Sequence, residues 1–413
     1  MKFVSTKAEI ASHITMVSKA ISLKPHHPVL ACILMEASKE TGLVTLLGFD
    51  LTLGIKTSFK TKVTKSGIIA VPSGMLTKLI HTIPESGLEF EVKYNFLLNI
   101  RSETGSYQIR GMSEDEYPEL PKIEQGKNIS VTSDIFSDLI KNTVFASSTD
   151  ETKTVLTGIN FSLARRKVDS ENQMLITAAA TDGHRLAFKA SLLKIEDEDQ
   201  EEEKGLVSED SGISYEKLLT GEEVNLTIPA KALKEVSQIL SINKEKYIQI
   251  CFDEGQIFFG MGSQSLFIRK IEGQFPHYKQ LIPNKFTSQM TIDRKKLLSS
   301  SSCVDVFSEA GGNKVIKCSI DRNNQKIVLS VDAKETGSAK EIIMAEIITE
   351  PEATKETIAE EIGFNAKYWI EGLKILPNQN VVIKMNGSTN PVIVSPEDDD
   401  KTIYLIMPVQ LRN

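Results

Sequence analysis

The sequence predicts an α+β fold made of three repeated domains, each with two helices and antiparallel sheets. Three observations carry this. The chain has 413 residues, almost three times the ~150 of an ordinary domain. A strand-then-helix pattern returns three times along it. Segments of alternating apolar and polar residues, broken by Gly, Asn and Asp turns, fill the intervals.

The first repeated element is MKFVSTKAEIASHITMVSKAI from Met1, the second ISVTSDIFSDLIKNTVFAS from Ile129, the third MTIDRKKLLSSSSCVDVFS from Met290. Thr6 with Glu9 predicts a capping box for the first helix, and Ser133 and Asp293 are the candidate N-caps of the other two. A second helix follows in each unit: VPSGMLTKLIHTI from Val71, IPAKALKEVSQIL from Ile228 and GFNAKYWIEGLKIL from Gly363. Pro72 and Pro229 fall where a helix starts, a position that tolerates a missing N–H. They are 157 residues apart, close to the 158 between the aromatic-proline pairs Tyr117-Pro118 and Phe275-Pro276, which end units one and two. LVTLLGFDLTLGIKTSF, LEFEVKYNFLLNIRS, YIQICFDEGQIFFGMGS and KIVLSVDAK read as antiparallel strands. The expected domains are 1–126, 127–285 and 286–413.

Charge is unevenly spread. The net charge is −7, yet residues 195–223 alone hold twelve acids and two lysines, leaving +3 on the other 384 residues. That acidic stretch has few large apolar residues and no period, so it reads as a solvated insertion into the second domain. Glu397 to Asp400 form a second acidic cluster with no defined ligand set for a divalent metal. No stretch approaches the ~20 apolar residues of a membrane span. The start, MKFVSTKAEIASHI, has no apolar core followed by small residues, so a cytoplasmic protein is expected. The four cysteines (Cys32, Cys251, Cys303, Cys318) are scattered and read as reduced, buried thiols.

Enzyme signatures are missing. There is no GxxxxGK[ST] phosphate loop, no HExxH and no GxSxG, and Gly260-Met261-Gly262 lacks the third glycine and the helix of a cofactor loop. His26-His27 sits between prolines without partner ligands. Asp182, His184 and Arg185 in ATDGHRLA could suggest acid–base work. However, the strand-like segments on either side make Asp182-Gly183 a hairpin turn. Neighbours on a strand point to opposite faces, so adjacency alone does not converge them. The helical segments carry lysines in moderate numbers, among them Lys78, Lys231, Lys234 and Lys367. Ordinary solvated faces explain any one of them. Six helices in three repeats could instead form a broad, weakly positive surface that neutralises phosphates without reading bases.

KPHHPVLACILME, GFDLTLGI, VPSGMLTKLIHTIP, EDEYPELP, AATDGHRLA, IPAKALKEV, EGQFPHYKQLIP, EEIGFNAKYW and the terminal YLIMPVQL carry a resemblance. Over nearly its whole length the chain resembles the beta subunit of bacterial replicative DNA polymerase III, the sliding-clamp family. ATDGHRLA, QFPHYK and a final MP-x-x-L in that order are highly specific.

The resemblance implies the DNA-clamp fold, closed by a head-to-tail homodimer into a ring around duplex DNA. It implies a non-catalytic processivity factor without cofactor or metal. Expected partners are double-stranded DNA of any sequence, the polymerase catalytic subunit, the clamp loader, repair polymerases, ligase and mismatch-repair proteins. The proteins would dock through short linear peptides, with no membrane involved.

Carried over by motif, the peptide groove would use Leu156, Thr181, Gly183, His184, Arg185, Leu186, Pro276, Leu281, Leu405, Met407, Pro408, Val409 and Leu411. Lys24, Lys78, Lys231, Lys234 and Lys367 would face DNA. Tyr107 and Ile109 of one chain would meet Val304, Val306 and Phe307 of the other. Gln280 and Gln410 stand where the family often has basic residues, Arg412-Asn413 extend the usual end, and residues 195–223 have no counterpart. Two other classes remain open at this point: a hydrolase using Asp182, His184 and Arg185, and a monomeric peptide-binding scaffold.

Overall fold

The computed structural model describes the chain except for residues 23–24, 26, 124–125, 169–170, 195–206, 209–223, 243–244, 311, 313, 334–336, 352–358 and 412–413. Contacts divide it into two compact units. One comprises Met1–Ser133 with Glu235–Lys270, the other Asp134–Lys234 with Ile271–Asn413.

Six helices occur among the described residues, at the predicted places. They are α1 (Lys7–Ser18), α2 (Ser73–Thr82), α3 (Ser133–Thr143), α4 (Ala230–Ile242), α5 (Arg294–Ala310) and α6 (Ala366–Ile375). Thr6 caps α1 by accepting the Glu9 N–H, and Ile10, Ile14 and Val17 turn one buried stripe inward. Asp293 caps α5 by accepting the Lys296 N–H at 2.8 Å. Ser133 does not cap α3. It is already the first residue of the helix, and its hydroxyl donates to the Glu245 carbonyl at 2.7 Å. Pro72 sits one residue before α2 as its N-cap.

The first unit holds a five-stranded antiparallel sheet in the order Val63–Lys65, Lys2–Thr6, Gly87–Lys93, Leu97–Arg101 and Ser106–Arg110. Its eight-stranded sheet runs Lys127–Thr132, Tyr247–Phe252, Gln256–Met261, Gln264–Arg269, Leu53–Lys60, Leu43–Phe49, Cys32–Ser38 and Gly67–Pro72. In the second unit the largest sheet runs Val224–Pro229, Gly158–Val168, Glu171–Thr181, Arg185–Lys194, Thr402–Ile406, Val392–Pro396, Asn380–Met385, Ser288–Asp293 and Glu346–Thr349, with Val207–Ser208 off this path. A four-stranded sheet there orders Ser338–Met344, Lys326–Asp332, Val315–Asp321 and Glu361–Asn365.

The middle of the chain gives strands to both large sheets. Gln264–Arg269 pairs with Leu53–Lys60 in one, and Arg185–Lys194 pairs with Thr402–Ile406 in the other. Each junction is therefore a continuous main-chain ladder rather than a flexible linker, which is why contacts group it in halves with its neighbours. Strand alternation buries Ile327, Leu329 and Val331 on one face of Lys326–Asp332. Aromatic stacking closes each core: Phe3 on Phe90 at 4.7 Å in the first unit, Phe364 on Trp369 at 4.4 Å in the second. Each such side chain, fully buried, contributes on the order of 2–3 kcal/mol.

All four cysteines are free, as expected, but only Cys32 and Cys318 are buried. Burial pushes their thiols up, to about 11 and about 12. Cys303 is exposed, contrary to the expectation that all four were core thiols, because it lies on the outer face of α5. The acidic stretch 195–223 lies outside the described residues apart from Val207–Ser208, which pairs with Leu193 and Lys194. No described helix is long and apolar enough to cross a membrane.

Candidate functional site

The ATDGHRLA segment forms the expected hairpin turn, with Gly183 at φ +95, a conformation that disfavours side chains with a Cβ. Asp182 organises it: one carboxylate oxygen accepts the N–H groups of His184 (2.9 Å) and Arg185 (3.2 Å), the other pairs with the Arg185 Nε at 3.0 Å. Thr181 closes the base by donating its hydroxyl to the Arg185 carbonyl at 2.5 Å while accepting the Gly183 N–H.

The Arg185 side chain turns inward and is 6% exposed. Its Nη1 donates to Glu371 at 2.5 Å and its Nη2 to the Phe145 carbonyl at 2.7 Å. The guanidinium carbon lies 4.4 Å from the Tyr368 ring centre and 5.5 Å from that of Phe145. Burial works against the charge, but the Glu371 hydrogen bond and the surrounding Tyr404 and Asp182 outweigh it and hold the guanidinium firmly ionised. Burial likewise pushes up the Tyr404 phenol, which donates to the Tyr368 carbonyl at 2.7 Å.

Asp182 and Arg185 are thus engaged with each other and with the backbone. His184 stands exposed, its ring 6.3 Å from Tyr368, and no described side chain hydrogen-bonds its nitrogens. Of the residues of the hydrolase reading, Asp182 and Arg185 are held in structural contacts, and the geometry supplies no nucleophile–base pair with His184.

An apolar surface adjoins the turn. Leu186 and Leu405 pair across the ladder and are buried in a cluster with Phe275, Tyr278, Ile282, Phe188 and Ile403. Next along the chain to buried Ile282 and Ile406, Leu281 is 52% and Met407 40% exposed. The Met407 N–H donates to the His184 carbonyl at 2.9 Å, so the end of the chain is tied to the turn. Val409 bridges Gly363, and Leu411 packs where a Cβ on Gly363 would stand. Leu156, Pro408 and Val409 are half-buried and Pro276 is exposed. Sequence reasoning missed Phe145, Tyr368 and Glu371; nothing in their local pattern distinguishes them from ordinary helix and loop residues.

Lys78, Lys231, Lys234 and Lys367 are all exposed on their helices. Lys24 lies outside the described residues, as does His26. Lys19 is engaged with Glu235 at 2.7 Å.

Each unit also ends a sheet on a strand whose outer edge has no partner strand among the described residues. In the first unit it is Ser106–Arg110, where Ile109 points into the core and Tyr107 is half-buried. In the second it is Ser338–Met344, with Ile342 60% and Met344 68% exposed, packed beside α5. On α5, Val304 is fully buried, Phe307 half-buried and Val306 65% exposed. Among the described residues no group of acids, histidines and cysteines is placed to hold a metal.

Three family models match the chain: the N-terminal domain of the DNA polymerase III beta subunit over residues 1–121, its central domain over 130–228 and its C-terminal domain over 279–410. The chain is 34% identical to the beta sliding clamp of Synechococcus elongatus, covering all of both chains. It is 30% identical to that of Bacillus subtilis over 99% of this chain and 100% of the other. Among solved structures it is similar to the Bacillus subtilis DNA polymerase sliding clamp (TM-score 0.82, 28% identity, full coverage of both chains). It is also similar to the Thermotoga maritima DNA polymerase III beta subunit (TM-score 0.82, 24% identity, full coverage of both chains).

Proposed function

Because this chain belongs to the DNA polymerase III beta subunit family, the beta sliding clamps, we propose that two copies close head to tail into a ring. That ring encircles duplex DNA and tethers polymerases and repair proteins to it. The three domains are 1–126, 127–285 and 286–413. The observation that carries the reading is the pair of strands with open outer edges. Ser106–Arg110 and Ser338–Met344 are different surfaces of one chain. Their pairing between two copies is heterologous, and a heterologous contact that closes makes a ring. Exposed Val306, Ile342 and Met344 supply apolar area beside the second edge. Ile109 and Val304 support the interface from inside their own cores.

A ring holds DNA by threading, so its inner contacts need only be weak and non-specific. Exposed lysines at positions 78, 231, 234 and 367 suit that role. Exposed Leu281 and Met407, with Leu186 and Leu405 buried in the adjoining sheet, suit the Leu or Phe anchor of a partner peptide. Catalysis is no part of this role, and the protein works in the cytoplasm beside the replication machinery.

The test is topological. Native mass at micromolar concentration should give two chains per particle. Protein loaded by a clamp loader onto nicked circular DNA should stay bound until the circle is cut, then slide off. One chain per particle, or retention that survives linearisation, would sink the reading.

A further inference from the structure

We propose that Arg185 is a positioning residue for the apolar surface exposed by Leu281 and Met407, and that Glu371 is its anchor. The inference rests on the peptide-docking reading above and assigns roles within that site. Three donors of the guanidinium reach internal acceptors, on Asp182, Glu371 and the Phe145 carbonyl, and the Tyr368 and Phe145 rings lie close to it. At 6% exposure it offers an incoming peptide almost nothing to touch.

Its position is nevertheless transmitted. Glu371 and Tyr368 belong to α6, so the guanidinium ties the turn to that helix. Asp182 accepts from the Arg185 side chain and also from the His184 N–H. The His184 carbonyl then accepts the Met407 N–H. Four successive links thus run from Glu371 to Met407. The fold does not depend on them, because the ladder from Arg185–Ile406 to Lys189–Thr402 joins the same strands independently. Glu371 is also 4.0 Å from Lys367, a weaker and more exposed contact that does not replace the one to Arg185.

The test uses the full-length protein, with Glu371→Gln, Arg185→Met and the double variant. The probe is a fluorescein-labelled peptide carrying Leu and Phe anchors, read by anisotropy, alongside amide hydrogen exchange. Each single change should weaken peptide binding about five- to tenfold. The double variant should be no weaker than Arg185→Met alone, since both residues act through one link. Exchange at the Met407 amide should speed up while the Asn380–Met385 amides keep their protection. Wild-type affinity and Met407 protection in both variants would overturn the proposal, as would loss of protection throughout the sheet. If Arg185→Met does not fold, Glu371→Gln decides alone. If the wild-type protein does not bind the probe, the docking reading fails and Met407 exchange still decides the link.

Discussion

Lys189 and Asp399 meet at 3.0 Å where strand Arg185–Lys194 passes the acidic turn ahead of Thr402–Ile406. Thr402 completes the group, accepting from Lys189 at 2.6 Å and donating to Asp399 at 2.5 Å. Asp399 of the acidic cluster Glu397 to Asp400 thus finds its cation in a lysine of the neighbouring strand. Lys189→Met should lower unfolding stability by about 1–3 kcal/mol in urea titration, since a partly buried carboxylate loses its charged partner. Burial opposes ionisation of Asp399, but Lys189 and Thr402 outweigh it and hold the carboxyl below its ordinary value. The stabilisation is therefore present above about pH 4 and lost as pH falls through the lower folded value. The variant should show a smaller step, since Thr402 and the Lys401 N–H still hydrogen-bond the carboxylate.

Ser301 explains itself only in three dimensions. Its hydroxyl accepts the indole N–H of Trp369 at 2.9 Å, and Trp369 is 1% exposed. Ser301→Ala leaves that donor without its partner and should cost about 1–3 kcal/mol, while the exposed Ser302→Ala should sit within about 0.5 kcal/mol of wild type. Thermal melts of the two variants compare them directly.

Gly372 lies in α6, where glycine ordinarily weakens a helix relative to alanine by about 1 kcal/mol. Here the sign should reverse. A Cβ at Gly372 would stand 2.1 Å from the Tyr404 ring, and Tyr404 is itself buried. Gly372→Ala should destabilise by about 1–3 kcal/mol or more, read as a lower denaturation midpoint.

His13 makes folding sensitive to mild acid. Its Nδ1 sits 2.7 Å from the buried Thr57 hydroxyl and its ring stacks on Phe59 at 4.6 Å. Burial lowers its pKa, with Glu9 pulling weakly the other way. The unfolded chain therefore binds the proton first. Stability should be full above about pH 6.5 and decline as pH drops from there toward the lower folded value. Melts at pH 7.5 and 5.5 should show the decline in wild type and a smaller one in His13→Gln.

Lys231 and Lys234 are exposed on the same helix. If they face the phosphates, Lys231→Ala with Lys234→Ala should reduce the salt dependence of DNA association by about two units of logarithmic slope for each copy in the ring. An unchanged slope would remove α4 from the DNA-facing set.

Much of this was legible because it is local. Thr6, Asp293 and the 3.6-residue apolar periods mark helices through hydrogen bonds that span only a few residues, and Asp182-Gly183 marks a turn for the same reason. Ser133 misled because the helix already begins at it, and its hydroxyl donates to the carbonyl of Glu245, 112 residues away.

From the sequence alone followed the three-fold repetition, the six helices, the hairpin at Asp182 and the family resemblance. Each depends on neighbours along the chain or on patterns of residue type. Only the tertiary structure decided what Arg185, Lys189 and Ser301 do. Their partners Glu371, Asp399 and Trp369 lie 186, 210 and 68 residues away. Such pairings arise when sheets join strands distant in the chain, and no local pattern encodes which buried donor will meet which acceptor.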